Sequence, residues 1–423
     1  RKGGHMSISG ISGVATKTSF ALFFLRMLTG RRDIVGEAGK NLRVLVFNVK
    51  GEDLLWLDKP NRDFTAEHAT KWAALGVEPQ AFPSVSLWAP PRPRSGDVLV
   101  PDIAGRQDVS VFAWTPREFV DEGLLRFLFT DASDARNQIS FVAERVESQL
   151  RRYAVDVAGV PGAIVLRDPS EGHSPGDLVR PNQGERVIKD LAGLATALEE
   201  FLDPPDGEPD LRWSGRVQGG TVSAFMRRFH AAVVRLGHLI QPGESRRIDR
   251  AQAQVTVVAL QSLHDLAQRF VVGALLSEAF REKEGSGQRF PLSVVVLDEL
   301  NKYAPREGQS PIKDMLIDIA QRGRSLGVLL VGAQQTASRV APEVLENAAL
   351  RVTGRLDAAE AERSEYGWML PSTRARARLL KPGTMVISQP SIPVPLVVDF
   401  PFPPWATRKE EVAEDDADVF EGL

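Results

Sequence analysis

The stretch that decides the fold is Val294-Val295-Val296-Leu297-Asp298-Glu299-Leu300. Its apolar residues are continuous rather than alternating, which is typical of a strand buried on both faces of a parallel sheet. A solvated loop also accepts Asp-Glu, but rarely after four buried-type residues. In a phosphate-hydrolysing site the first carboxylate holds Mg²⁺, usually through water, and the second orients and deprotonates the attacking water. We therefore predict that Asp298 is a metal ligand and Glu299 the general base.

Similar apolar runs occur along the chain, and helical patterns alternate with them. These runs are residues 5–9, 42–49, 85–89, 109–114, 254–260 and 327–333. A capped helix begins at Ser310 and Pro311, and an apolar stripe at helical spacing extends from Leu263 to Leu275. The alternation predicts an α/β fold with a mainly parallel sheet.

The segment between residues 116 and 250 has a different character. Its apolar stripes are all helical, and loops rich in Pro, Gly and Asp separate them. This pattern predicts a helical domain inserted into an α/β core, which is consistent with a chain of 423 residues. The predicted parts are 1–115 and 251–389 for the core, 116–250 for the insertion, and 390–423 for a C-terminal segment with an acidic tail.

The composition excludes several classes of protein. The sequence contains no cysteine, which excludes disulfides, thiolate zinc sites and cysteine nucleophiles. No apolar run approaches the roughly 18 residues that a membrane span needs, and the first residues lack a signal-peptide pattern. We expect a cytoplasmic protein without membrane contact. The net charge of −3 means that any nucleic-acid surface must be a local stripe, such as a channel lining.

A loop of small residues follows the first apolar run and precedes an apolar helix. Backbone N–H groups of such a loop turn toward phosphate oxygens, the lysine reaches the β and γ phosphates, and the threonine hydroxyl holds Mg²⁺. The residues predicted to bind nucleotide are Gly10, Ser12, Gly13, Val14, Ala15, Thr16, Lys17, Thr18 and Ser19, and Thr18 joins Asp298 as a metal ligand.

The spelling of this loop departs from the usual phosphate-loop pattern. Counted back from Lys17, the pattern G-x-x-x-x-G-K-[ST] requires glycines where Ile11 and Thr16 stand, and Gly10 comes one position early. A glycine-rich turn with a chance Lys-Thr is therefore the alternative.

Two further catalytic candidates lie downstream of the acidic pair. Gln335 follows the next apolar run, where an amide can contact both the γ-phosphate and the attacking water. Arg324 lies at the end of the helix that begins at Pro311, and an arginine finger offered from there to the next subunit would stabilise transition-state charge. The alternatives are a polar strand end for Gln335 and a cation favoured by the helix dipole for Arg324.

These motifs together resemble the bacterial branch of the HerA family, within the HerA and FtsK class of hexameric ATPases. The resemblance covers about residues 5–60 and 250–407. It rests on LDELNKYAP, QRGRSLGVLLVGAQQTAS, ALRVTGRLD, LLKPGTMVISQP and FPFPPWATR, with GISGVATKTS similar to that branch's variant phosphate loop. It implies a RecA/FtsK-like P-loop ATPase core, with Lys17 and Thr18 in Walker A, Arg324 as trans finger and Gln335 as sensor.

The resemblance also implies a function. It implies ATP and Mg²⁺ as cofactors, a homo-hexamer, and ATP-dependent translocation on double-stranded DNA as a helicase. The implied partner is a NurA-type nuclease, in DNA end resection and recombinational repair. The segment from about Pro390 is implied to brace a neighbouring subunit. Competing hypotheses are a ring that serves as the platform of a nuclease-containing anti-phage defence complex, and an FtsK-like DNA pump.

Two weaker patterns complete the sequence-based predictions. The segment Lys50-Gly51-Glu52 follows the second apolar run, and Glu52 lies either near the site or in a plain turn. DNA phosphates attract clustered arginines, although a solvated surface is the alternative for each cluster. The clusters are Arg374 with Arg376 and Arg378, Arg227 with Arg228, and Arg246 with Arg247.

Overall fold

The computed structural model describes residues 4–11, 16–36, 41–93, 98–129, 138–204 and 208–413, without the side chains of Thr16, Arg32 and Ile34. Strands are found in both parts of the predicted core and in the insertion. They are β1 His5–Ser9, β2 Arg43–Asn48, β3 Val85–Ala89, β4 Ser110–Val111, β5 Ala154–Val157, β6 Ile164–Leu166, β7 Leu178–Val179, β8 Val255–Ala259, β9 Ser293–Leu297, β10 Val328–Gln334, β11 Ala348–Thr353, β12 Thr384–Gln389 and β13 Ile392–Asp399.

Ten of these strands form one twisted sheet in the order β13-β12-β11-β1-β10-β9-β2-β8-β3-β4. The strands from β11 to β4 run parallel, whereas β12 and β13 are antiparallel to their neighbours. Every apolar run predicted as a strand is a strand of this sheet, which confirms the mainly parallel α/β core. The sequence did not predict β11, β12 or β13.

Helices connect the parallel strands and cover the sheet. They are α1 Thr16–Gly30, α2 Arg32–Val35, α3 Ala66–Ala74, α4 Pro116–Asp121, α5 Gln138–Tyr153, α6 Leu191–Leu202, α7 Leu211–Ser214, α8 Gly219–Leu236, α9 Asp265–Ser286, α10 Leu300–Tyr303, α11 Pro311–Asp318, α12 Arg324–Leu326, α13 Pro342–Glu346, α14 Ala358–Ala361 and α15 Pro371–Ala377. The Ser310 side chain accepts the Lys313 N–H (3.2 Å), which confirms the predicted cap of α11. Over the described part of the chain, no helix has the length and apolarity to cross a membrane.

Two hydrophobic clusters lie on opposite faces of the sheet and explain the continuous apolar run. Val294 and Val296 pack in the cluster that contains Phe20, Leu22 and Leu25 of α1. Their neighbours in β9 pack on the other face, in the cluster that contains much of α9. Since both faces are covered, the side chains from Val294 to Leu297 are all apolar.

The segment between residues 116 and 250 contains helices α4 to α8, as predicted, and also a small sheet that the sequence did not reveal. Its order is β6-β5-β7, with β5 and β6 antiparallel. Gly159 and Gly162, both with positive φ, allow the chain to turn between β5 and β6. Helices α5, α6 and α8 contribute to the same hydrophobic cluster as α9. The inserted segment therefore shares a core with the sheet, and its exact boundaries stay a prediction.

After β13, the C-terminal segment packs against residues from the first part of the core. Trp405 is buried against Trp72 and Phe82, and the Trp72 indole N–H donates to the Phe402 carbonyl (2.8 Å). Up to residue 413 the segment thus packs on its own chain. Bracing of a second subunit stays a prediction, and the acidic tail from residue 414 lies outside the described residues.

Candidate nucleotide site

Four neighbouring strands, β1, β10, β9 and β2, bring the predicted site together. Ser9 is paired with Gln334, and both Gly332 and Phe47 are level with Leu297. Because these strands are parallel and their ends are in register, their carboxyl ends lie along one edge of the sheet. The segments that follow them therefore meet there, which is the usual place for a ligand in an open α/β sheet.

The phosphate loop leaves this edge after β1. Ile11 N–H donates to the Arg355 carbonyl (2.8 Å), which fixes the start of the loop against the end of β11. A Cβ on Gly10 would lie 3.3 Å from the same carbonyl, so the backbones approach closely there. Of the predicted nucleotide-binding residues, Ser12, Gly13, Val14 and Ala15 lie outside the described residues, and Thr16 opens α1.

Lys17, in the first turn of α1, is the buried cation of the site. Its side chain is 6% exposed, and burial lowers the pKa of its ammonium group to about 8, although Asp298 and Glu299 oppose the shift. A nearby cation, Lys50, adds to the lowering. The first turn of α1 contains no acidic residue, so its N-terminal dipole is uncompensated by side chains. Thr18 and Ser19 occupy the same turn and are half-buried.

The acidic pair follows β9 as predicted. Asp298 continues the alternation of Val294 and Val296, so its carboxylate lies on the α1 face of the sheet. Its Oδ1 accepts the Glu299 N–H (2.8 Å). Glu299 adopts a left-handed conformation, with φ 57°, which costs a non-glycine residue free energy and is often found at functional sites. The strained turn keeps both carboxylates at the edge of the sheet.

Lys50 joins this pair from the neighbouring strand β2. Its Nζ lies 2.7 Å from Glu299 Oε1 and 3.4 Å from Asp298 Oδ2. Sequence reasoning singled out the segment but favoured Glu52, whose Oε1 instead accepts the Ala104 N–H (3.1 Å). The signal that would have identified Lys50 is its position just beyond a strand that neighbours β9.

The two glutamines at the end of β10 have different surroundings. Gln334 is fully buried, and its Nε2 donates to the hydroxyls of Ser7 and Ser9 (both 2.8 Å). Gln335 is exposed and lies just beyond the strand. By the alternation of β10 it shares the α1 face with Val331, which is also the face of the acidic pair. Its place is therefore compatible with the predicted sensor role.

Arg324 lies at the opposite, amino edge of the sheet. A π-helical turn, Ile319–Gly323, precedes it, and β10 begins four residues after it. The residue is exposed, and its charge lowers the pKa of His5, the first residue of β1. The structure thus does not bring Arg324 to the acidic pair of its own chain. Turns of this type are frequent at functional sites.

Two of the arginines predicted to contact DNA phosphates form hydrogen bonds or ion pairs within the chain. Arg374 lies 3.7 Å from Glu362 and donates to the Tyr366 carbonyl (3.4 Å). Arg247 forms an ion pair with Glu122 (2.7 Å). These two arginines are structural.

Four other arginines of these clusters are exposed and stay candidates for contact with DNA: Arg227, Arg246, Arg376 and Arg378.

The oxygen atoms of Asp298 and Thr18 fit a Mg²⁺ ion that binds together with a nucleotide. Among the described residues, no group of three or more His, Cys, Asp or Glu side chains could hold a metal. Asp298 is accessible, with 18% of its side chain exposed, and Thr18 offers a hydroxyl. Mg²⁺ prefers six oxygen ligands and is commonly held by one or two carboxylates together with water and substrate phosphates.

Comparison with known proteins shows the fold. No protein-family model and no curated protein match the sequence. The bacterial conjugative coupling protein TrwB in complex with sulphate is 11% identical over 97% of this chain and 88% of that chain, with a TM-score of 0.55. Plasmid coupling protein TrwB in complex with ADP and Mg²⁺ gives the same values. VirB4 of Thermoanaerobacter pseudethanolicus is 14% identical over 99% of this chain and 93% of that chain, with a TM-score of 0.49.

The likeness to TrwB extends over nearly the whole chain, including the insertion. It confirms the predicted fold class, an α/β core with a mainly parallel sheet and an inserted segment, which this chain shares with TrwB.

Proposed function

We propose that this protein is an ATPase that binds MgATP at the carboxyl edge of its sheet and uses hydrolysis to move along DNA. The observation that carries the proposal is the convergence of Lys17, Asp298, Glu299 and Gln335 on that edge. Three segments distant in sequence supply a buried cation, a carboxylate pair and an exposed amide. A TrwB structure of the same fold is a complex with ADP and Mg²⁺.

Each residue has a role that follows from its position. The Lys17 ammonium, buried at the start of α1, binds the β and γ phosphates together with the N-terminal N–H groups of that helix. Asp298 and Thr18 hold Mg²⁺, which supplies charge neutralisation of the phosphates. Glu299 orients the attacking water and accepts its proton, and Gln335 hydrogen-bonds to the water from the adjacent strand.

The position of Arg324 supports hydrolysis between subunits. In its own chain the finger lies at the wrong edge of the sheet to reach the γ-phosphate. In a ring, the amino edge of one subunit faces the carboxyl edge of the next, and the exposed guanidinium then completes the neighbour's site. A homo-hexamer of the HerA type satisfies this geometry.

Double-stranded DNA is the proposed substrate, and a NurA-type nuclease in end resection and recombinational repair is the proposed partner. The sequence segments shared with the bacterial HerA branch support this finer assignment. They include the acidic pair, the finger helix and the strand that ends at Gln335. The net charge of −3 requires that the DNA contact a restricted surface, such as the lining of the ring.

ATP hydrolysis by the purified protein, with and without double-stranded DNA, tests the proposal. We expect turnover in the range of about 1–100 s⁻¹ with DNA, a decrease without it, and near-complete loss in Lys17→Ala. Lys71→Ala is a matched control because Lys71 is an exposed helical lysine of α3. Absence of turnover with DNA and nuclease present, or full turnover in Lys17→Ala, would refute the motor function.

The irregular phosphate loop favours one alternative. Ile11 and Thr16 stand where glycines are expected, which suits a ring that binds nucleotide weakly and serves as an assembly platform for a nuclease in anti-phage defence. Isothermal titration of ATPγS distinguishes the two functions. Micromolar or tighter binding together with DNA-dependent turnover supports the motor, whereas nuclease assembly that is unaffected by nucleotide supports the platform.

A further inference from the structure

The proposed hydrolysis of ATP assigns no role to Lys50, although its ammonium group contacts both carboxylates of the site. Its Nζ lies between the two carboxylates, 2.7 Å from Glu299 Oε1 and 3.4 Å from Asp298 Oδ2. The turn that carries it is fixed, because the buried Asn48 side chain donates to the Gly51 carbonyl (3.1 Å) and Gly51 has φ 52°. The backbone of Lys50 is therefore held beside the acidic pair, while its side chain is 45% exposed.

The site is electrically balanced before any ligand binds. Asp298 and Glu299 bring two negative charges close together, and each would disfavour ionisation of the other. Lys17 and Lys50 bring two positive charges into the same cluster. The Lys50 ammonium directly contacts both carboxylates, so it compensates the charge that a divalent cation compensates in the loaded site.

We propose that Lys50 is a positioning residue that occupies the acidic pair in the nucleotide-free protein and keeps divalent cations out until a nucleotide binds. This inference rests on the proposed nucleotide site. An ammonium and Mg²⁺ cannot both contact the same Asp298 oxygen, so each weakens the binding of the other. Nucleotide phosphates offer the Lys50 ammonium a second anionic partner. Its half-exposed, flexible side chain can turn to them and release Asp298.

The inference predicts the order in which the metal and the nucleotide bind. The metal enters with the nucleotide rather than before it, and Glu299 stays paired with Lys50 until the phosphates are in place. A lysine suits this role better than an arginine, because its compact charge on four methylene groups reorients without a fixed fork geometry.

Binding of Mn²⁺ alone to the nucleotide-free protein tests the inference, with the electron paramagnetic resonance signal of free Mn²⁺ as the readout. In Lys50→Met we expect Mn²⁺ to bind about tenfold more tightly than in the wild type, as removal of one adjacent charge commonly has this effect. A disrupted fold would weaken metal binding, so a gain in affinity separates this role from a structural one. Lys50→Arg keeps the positive charge, and its Mn²⁺ affinity should stay near that of the wild type.

Two control variants show where the gain in Mn²⁺ affinity comes from. Lys59→Met removes a lysine of nearly equal exposure (46%) that contacts Asp58 instead, and it should leave Mn²⁺ affinity unchanged. Adding Asp298→Asn to Lys50→Met should abolish the gain. If Lys50→Met does not fold, Lys50→Gln provides the same test with a polar, uncharged side chain.

The outcomes separate this inference from the proposed function. If the wild type hydrolyses ATP and Lys50→Met binds Mn²⁺ no more tightly than the wild type, the inference is wrong and the ATPase stands. If Lys50→Met gains Mn²⁺ affinity while the wild type hydrolyses no ATP under any condition, Lys50 acts as proposed and the ATPase function fails.

Discussion

The two edges of the ten-stranded sheet differ in what they expose. At the carboxyl edge, Lys17, Lys50, Asp298 and Glu299 form a cluster in which every charge has an opposite charge nearby. At the amino edge, Arg324 is exposed after a π-helical turn, and its charge adds to the lowering of the His5 pKa that burial causes. The first edge is equipped to hold a ligand, and the second presents a cation outward.

Under the proposed function, the two edges of one chain are the two halves of a reaction centre. Strand β1 separates the edges by its five residues, about 16 Å at 3.3 Å per residue. An arginine side chain does not span that distance through a packed sheet. If Arg324 is the finger proposed above, a complete centre requires a second subunit, and the predictions below compare the two edges.

Arg324→Ala should lower turnover about 10⁴-fold, because arginine fingers contribute about 10³–10⁵-fold to phosphoryl transfer. Affinity for nucleotide should change little, since the residue lies away from the chain's own site. Steady-state hydrolysis and titration of ATPγS measure the two quantities. Arg289→Ala is a matched control because Arg289 is an exposed arginine near the same edge of the sheet.

Co-expression with a second inactive variant shows whether the finger acts between subunits. A ring that mixes Arg324→Ala with Glu299→Gln contains some interfaces with an intact glutamate and an intact arginine, about a quarter of the total for random equal mixing. Turnover should recover to about that fraction of the wild-type rate. If mixed rings assemble and no activity returns, Glu299 and Arg324 act within one chain. The proposal that two subunits share one site is then wrong.

Glu299→Gln should lower turnover about 10³-fold, because general bases contribute about 10²–10⁴-fold. Nucleotide binding should persist, since Lys17 and Asp298 are unchanged. Burst and steady-state phosphate release measure the effect. Glu67→Gln changes a glutamate that is 81% exposed on α3, and it should be neutral. Equal loss in both variants would assign the effect to stability rather than to chemistry.

Seven strands of the large sheet, β1 to β4 and β8 to β10, could be predicted from the sequence because burial on both faces produces continuous apolar runs. β13 could not, because Pro393 and Pro395 argue against a strand. The structure places β13 at the end of the sheet, with β12 as its partner there, and proline is tolerated in such an edge strand. The position of a strand in the sheet, which local pattern does not contain, decides whether proline is tolerated.

The site was predictable where chemistry follows directly from a strand end, as at Asp298, Glu299 and Gln335. Lys50 lies 248 positions before Asp298, and only the parallel pairing of β2 with β9 brings them together. The edge on which Arg324 lies is also a property of the fold. The sequence predicted, from a helix end and from the family resemblance, a finger that acts on another subunit, and that role stays a prediction with which the position of Arg324 is compatible.

His5 makes the amino edge sensitive to pH. Burial, and to a smaller extent Arg324, lower the pKa of its imidazole from 6.5 to about 4. The unfolded chain therefore binds a proton before the folded one does, and stability is lost as the pH falls from 6.5 toward 4. The loss should reach about 3 kcal/mol. Urea unfolding between pH 7 and pH 4.5 measures it.

Two variants isolate this contribution. His5→Gln should flatten the pH dependence over that range, whereas His230→Gln, at a half-exposed ion pair with Glu199, should leave it in place. A pH slope that is unchanged in His5→Gln would mean that other groups dominate the acid response of the fold.

The adjacent glutamines at the end of β10 provide the finest comparison, because they differ by one position and by the face of the sheet. Gln335→Ala removes the hydrogen bond proposed to the attacking water and should lower turnover about tenfold without changing stability. Gln334→Ala leaves the buried hydroxyls of Ser7 and Ser9 without their donor. The free energy of unfolding should then fall by about 2 kcal/mol. Hydrolysis rates and urea unfolding of both variants test the assignment, and the reverse pattern would place the sensor at Gln334.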